Sequence, residues 1–229
     1  MRRRVTALGA AALVAGLVLF VGVFAAQERV TAQATTVTKI YRNWTPISIP
    51  ATVEGTNGQA SPYPSPIAVS DLRGATIRDI NVRLRNYSHE YPDDVDVLLV
   101  GPARTGKDAL IMSDAGAGLN LSDVTLTLDD EALKRLPDGN GKDPDDGTTP
   151  IETASYKPSD YVQVRRDGVT PKNPDAFPGI TTFSGNEALS AFDGALPNGT
   201  WRLYVVDDGH DWTGQFAGGW ALQITARLP

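Results

Sequence analysis

From Arg73 onward the chain alternates apolar and polar residues with a period of two. Ile80, Val82 and Leu84 share one face of a segment whose other face carries Asp79, Asn81, Arg83 and Arg85, the pattern of a half-buried antiparallel strand. The run Tyr91 to Pro102 follows, with acidic residues leading into an apolar strand. Read with the same period, Val95, Val97 and Leu99 face a core while Asp94, Asp96 and Leu98 face the other way. Pro92 and Pro102 punctuate its ends, because proline donates nothing to a central ladder. Ala109 to Met112 predicts a further strand, and Val124, Leu126 and Leu128 share one face of the next. The last third repeats the pattern. Trp201, Leu203 and Val205 alternate with Arg202, Tyr204 and Val206 after an Asn198-Gly199 turn, and Gly218-Gly219 opens a terminal strand with Trp220, Leu222 and Ile224 inward. Short strands separated by turn residues, with no long helical period after residue 34, predict an all-β sandwich.

Between these strands the pattern weakens. Thr35 to Ala60 reads as an extended segment and edge strand in which Ile47 and Ile49 alternate, broken by Pro46, Pro50 and turns, and Ser61 to Pro66 places three prolines before a short strand at Ile67 to Val69. Glu131 to Leu136 predicts one helical turn. Residues 137–178 are poor in apolar residues and rich in Gly, Pro and Asp, so they predict a long surface loop with at most one or two short strands. The organisation is thus a leader at 1–34, an N-terminal extended segment at 35–60 and a sandwich at 61–229.

The leader changes the expected address. Three arginines precede an uncharged apolar stretch from Ala7 to Ala26, which predicts export through a signal peptide or retention as a membrane anchor. In either case the positive head stays cytoplasmic and the remaining chain is extracellular or displayed at the cell surface. Membrane contact is expected only through this segment, if it is not cleaved. The absence of cysteine fits a domain large enough to fold without covalent staples. The formal net charge is -6, and removing residues 1–34, with four arginines and one glutamate, takes it to -9. An acidic surface without a basic aromatic patch excludes nucleic acid as an expected partner and favours divalent cations or protein surfaces.

Candidate chemistry is sparse. His89 and His210 are the two histidines, and each reads as a solvated loop residue. No Gly-x-Ser-x-Gly elbow accompanies them, so an arrangement of Ser113, His210 and Asp208 lacks sequence support and no catalytic residue is assigned. Asp138 to Gly147 does not qualify as a calcium loop, because Lys142 interrupts the oxygen donors and no glutamate closes it. The aspartates at strand ends are better placed. Asp94 and Asp96, two apart on one strand face, together with Asp114, Asp129, Asp207 and Asp208 in acidic turns, form a candidate set of hard oxygen ligands for structural calcium. The same residues also suit turns, where their side chains bond nearby amides. Trp201 and Trp220 read as core, and Trp212 as an exposed loop aromatic.

Several ordered segments resemble one known family. Ile80 to Pro102, Ser113 to Gly116, Leu126 to Asp130, Pro197 to Asp208 and Gly218 to Leu222 resemble the P domain, or P/Homo B domain, of proprotein convertases, closest to its bacterial secreted form. The resemblance covers roughly Thr45 to Pro229 and implies a jelly-roll β-sandwich of antiparallel strands. It also implies a non-catalytic module that packs against a subtilisin-like protease domain and stabilises it. The Asp, His-Gly-Thr and Gly-Thr-Ser-Met-Ala motifs of those proteases are missing here, so proteolysis is not expected of this chain. The expectation is a secreted or surface-anchored module for an extracellular protein partner. An accessory subunit of a separately encoded protease is the alternative, and a metal-assisted hydrolase is a distant third.

Overall fold

The computed structural model describes residues 35–53, 56–138, 149–161 and 175–229. The leader, and with it the export or anchor expectation, lies outside them, as does most of the Asp138 to Gly147 loop. In chain order the strands are β1 (Thr36–Asn43), β2 (Ile47–Ile49), β3 (Gly58–Gln59), β4 (Ser65–Val69), β5 (Thr76–His89), β6 (Val95–Val100) and β7 (Asp108–Ser113). They continue as β8 (Leu121–Leu128), β9 (Ala154–Tyr156), β10 (Ser159–Asp160), β11 (Gly199–Asp207), β12 (Gly214–Phe216) and β13 (Trp220–Arg227). Among the described residues no helix is long and apolar enough to cross a membrane.

These strands form two sheets. One runs β1-β13-β5-β12-β2, with β8 on the other side of β5 and β9 beyond it; the other runs β10-β7-β6-β11-β3, with β4 also paired to β11. The inward rows predicted from the alternation meet between them. Ile80, Val82, Leu84, Trp220, Leu222 and Ile224 from the first sheet pack in one cluster with Val95, Val97, Leu99, Trp201, Leu203 and Val205 from the second. Both tryptophans are fully buried, and each indole N–H finds an acceptor: Trp201 Nε1 donates to the Pro197 carbonyl at 2.9 Å and Trp220 Nε1 to Ser65 Oγ at 3.0 Å. The fold is therefore all-β, with two sheets packed across a shared core.

Four local expectations are corrected. Two pairings are parallel, β8 with β9 and β7 with β10. Both β9 and β10 are reached through a long connection after β8, and such a connection can return a strand in the same direction where a tight hairpin cannot. Glu131 to Leu136 forms no helical turn; an Ala132 N–H bond to the Asp129 carbonyl at 3.0 Å closes a β-type turn instead. Asp94 is not in a strand, because Pro92 sets the start of a short 3-10 turn over Pro92–Asp94 and β6 begins only at Val95. The short strand expected at Ile67 to Val69 begins two residues earlier, at Ser65, inside the proline run.

A second, smaller apolar cluster lies on the far face of the β6-bearing sheet. Leu98, Leu110 and Val206 are covered there by Phe177, with Tyr63, Ile180, Phe183 and Tyr204 around them. The segment holding Phe177 is tied down by Tyr63, whose hydroxyl donates to the Pro178 carbonyl at 3.0 Å. Both faces of β6 are consequently buried, so a charged residue on it cannot reach bulk water.

Candidate functional site

Asp96 is that residue. It pairs in register with Val206 and shares its face with Leu98, the face turned away from the main core. Its side chain is fully buried, and neither carboxylate oxygen has a hydrogen-bond partner. Burial drives its pKa well above the ordinary carboxylate range, and the neighbouring carboxylates of Asp175, Asp208 and Asp114 push it further. The Ser113 hydroxyl opposes the rise, although Ser113 Oγ makes no hydrogen bond of normal geometry and is itself buried. A buried carboxyl without donors is costly in either protonation state, and both Asp96 oxygens are in that position.

The six aspartates expected to act together divide into groups. Asp208 continues the face of Asp96 at the end of β11, and its backbone N–H donates to the Asp94 carbonyl at 2.9 Å. Asp114 reaches the same neighbourhood from the end of β7, where its backbone sits at φ 52°, a left-handed conformation that Asp tolerates better than most residues. Asp94 lies on the intervening 3-10 turn, and its carboxylate packs directly on Gly209: a Cβ there would fall 1.9 Å from Asp94 Oδ2. Asp207 points the other way, into the main core, because it pairs with the inward-facing Val95. Asp129 is not in this region. β8 begins opposite His89 and ends opposite Val82, so Asp129 lies at the far end of that strand, beside Asp79. There Asp129 Oδ1 accepts the Glu131 N–H at 2.8 Å, a turn role.

Asp207 is already engaged. Its Oδ2 lies 3.1 Å from His89 Nε2, with both side chains buried, and its Oδ1 accepts the Gly209 N–H at 3.0 Å. His89 Nδ1 accepts the Tyr91 N–H at 3.1 Å, so the ring proton sits on Nε2 and is donated to Asp207. His89 is therefore not the solvated loop histidine expected from sequence. With both nitrogens occupied it orients Asp207 and ties the end of β5 to the end of β11. His210 is exposed, 3.8 Å from Asp211. Tyr87 stands beside this pair; its buried hydroxyl has no partner, and burial together with Asp207, Asp94, Asp96 and Asp93 raises its pKa well above the usual phenol range.

Two members of the region escaped sequence reasoning. Asp175 comes from the segment that covers the second cluster, and no local spacing linked it to β6. His89 was missed because of a shift in β5: Ile80, Val82 and Leu84 face inward on even numbers, yet Tyr87 and His89 face inward on odd ones. The register with β8 is irregular between Leu84 and Tyr87, where Asn86 adopts φ 52°, and a bulge of this kind exchanges the faces of the strand.

Hard oxygen donors around a buried, unsatisfied carboxylate suit a calcium ion chemically. Among the described residues, no three His, Asp or Glu side chains converge closely enough to hold a metal as they stand. No model of a known protein family matches the chain. No curated protein matches it either.

Proposed function

We propose that the chain is an exported, non-catalytic module of the P-domain type, with jelly-roll connectivity, that binds or stabilises a partner protein outside the cytoplasm and takes calcium at its acidic end. The observation that carries the calcium part is Asp96: fully buried, with two carboxylate oxygens that no protein donor meets. Asp96 would be the central ligand, with Asp114, Asp208 and Asp175 as neighbours and the Ser113 hydroxyl beside it. Because the carboxylates are not gathered in advance, binding has to draw them together against their mutual repulsion, which places the site in the weak, extracellular class of calcium affinities. A bound divalent cation would reverse the local electrostatics and hold Asp96 ionised.

The non-catalytic part is supported by the use made of His89, whose two ring nitrogens are committed to Asp207 and to the Tyr91 N–H. Two packed sheets and the buried pair Trp201 and Trp220 support the module type, together with the segment resemblance. Calorimetric titration with calcium and magnesium tests the ion. The expected result is a single weak site for calcium that magnesium fills poorly, since magnesium demands tighter octahedral geometry and gives up its water reluctantly. Absence of calcium heat at millimolar ion would remove the metal from the account. The partner is tested by co-purification from the producing cell, where capture of a subtilisin-like protease would favour the alternative reading, an accessory subunit of a separately encoded protease.

A further inference from the structure

On the outer face of the other sheet, one register row reads Arg42, Ala221, Arg83, Thr127 across β1, β13, β5 and β8. Ala221 is the small residue of that row, so Arg42 and Arg83, about 10 Å apart at the backbone two strands away from each other, flank a depression with an alanine floor. The neighbouring row supplies Ile40, Gln223 and Asn81. Together with Arg85 these residues enclose a cavity of about 150 Å³. Trp44, just after β1 and 57% exposed, stands beside two of the lining arginines, with the Arg85 guanidinium carbon 4.7 Å and the Arg42 one 5.9 Å from its ring centroid.

Three features of this cavity are unexplained by packing. Arg42, Arg83 and Arg85 make no ion pair with the described residues, although the chain is acidic overall. Arg85 Nε, a donor, and Asn81 Oδ1, an acceptor, are both shielded from water and lack protein partners. An exposed indole stands beside them. A ligand that completes the site must therefore bring an anionic acceptor for the guanidinium forks, a hydrogen-bond donor for Asn81 and a ring-sized body against Trp44.

We propose that this cavity binds a uronic-acid residue of an acidic polysaccharide. The carboxylate meets Arg83 and Arg85 in the planar geometry that guanidinium groups favour, while sugar hydroxyls serve Asn81, Gln223 and Thr127. An acidic peptide fits less well, since an extended peptide gains its main-chain bonds at a sheet edge, whereas this cavity opens on a sheet face and is lined by side chains. The site lies on the outer face of the sheet that does not carry Asp96 and is independent of the calcium reading.

The test is calorimetric or NMR titration of the full chain with a galacturonate tetramer, its methyl ester and a glutamate tetramer, all in chelator so that the acidic end plays no part. The galacturonate is expected to bind, with the ester at least about tenfold weaker, the size of a lost charge-assisted bond, and the glutamate peptide also weaker because it brings no sugar hydroxyls for Asn81, Gln223 and Thr127. Arg83→Gln and Arg85→Gln should each weaken it at least about tenfold, with unchanged melting for the exposed Arg83→Gln, and Trp44→Ala should weaken it several-fold. No galacturonate binding, ester binding as tight as the acid, a preference for the glutamate peptide, or affinity indifferent to Arg83→Gln would overturn the proposal.

Discussion

At the scale of single residues, Asp96 and Asp207 show two fates of a buried carboxylate on one sheet. Asp207 is held by His89 and the Gly209 N–H; Asp96 has no such donors. The folded-state pKa of Asp96 is raised above its unfolded value, so in calcium-free solution it contributes stability below the usual carboxylate pKa of about 3.9, and that contribution is lost as pH rises through the raised folded value. Melting in chelator across this range should therefore show Asp96→Asn with a flatter pH dependence than the parent and at least equal stability at pH 7. A steeper loss toward high pH in the variant would contradict the assignment. His89→Ala acts in the opposite sense, leaving the Asp207 carboxyl without its side-chain donor. It should cost about 3 kcal/mol in chemical denaturation, the penalty for leaving a buried carboxyl without its donor. A cost below about 1 kcal/mol would mean that the pair does not hold β5 to β11.

At the scale of elements, close backbone approach explains why particular turns carry glycine. Gly219 opens β13 at φ +63°, and a Cβ there would fall 2.1 Å from the Asn43 carbonyl oxygen at the end of β1. Gly106 has a similar φ of +57° but nothing within 4 Å. Gly106→Ala should therefore show only the conformational cost of about 1 kcal/mol, while Gly219→Ala adds a main-chain clash and should cost clearly more. Equal losses in the two variants, measured by denaturant unfolding, would remove the clash as a cause. The elements most legible in the sequence are those whose two faces differ: β5 up to Leu84, β11 and β13 carry clean alternation, and Trp201 and Trp220 lie where it places them. The alternation in β6 also gave the outward face of Asp96. What could not be read locally depends on contacts distant in the chain: the bulge that turns His89 inward, the parallel pairing of β9 and β10, and Asp175 brought over β6 by the segment around Phe177. The 3-10 turn that removes Asp94 from β6 had a signal in Pro92, which favours the first turn of a helix as readily as the end of a strand.

At the scale of the whole molecule, the candidate metal ligands sit where strand ends from one sheet meet a covering segment, so an ion there would fasten elements far apart in sequence. β6 brings Asp96, β7 brings Asp114 and β11 brings Asp208, while Asp175 belongs to the segment that shields Leu98 and Val206. Calcium binding and the seating of that segment should consequently be one cooperative event. Hydrogen exchange of residues 175–183 is expected to slow on calcium addition, and exchange unchanged by calcium would separate the two. The most direct test of the central claim is thermal melting of the full chain in saturating calcium and in chelator, for the parent and for Asp96→Asn. An ion at one hundred times its dissociation constant adds about 2.7 kcal/mol, so the parent should melt several degrees higher in calcium and Asp96→Asn should show no difference. Parent melting that is the same in calcium and chelator, or a calcium-dependent rise that survives in Asp96→Asn, would contradict the account.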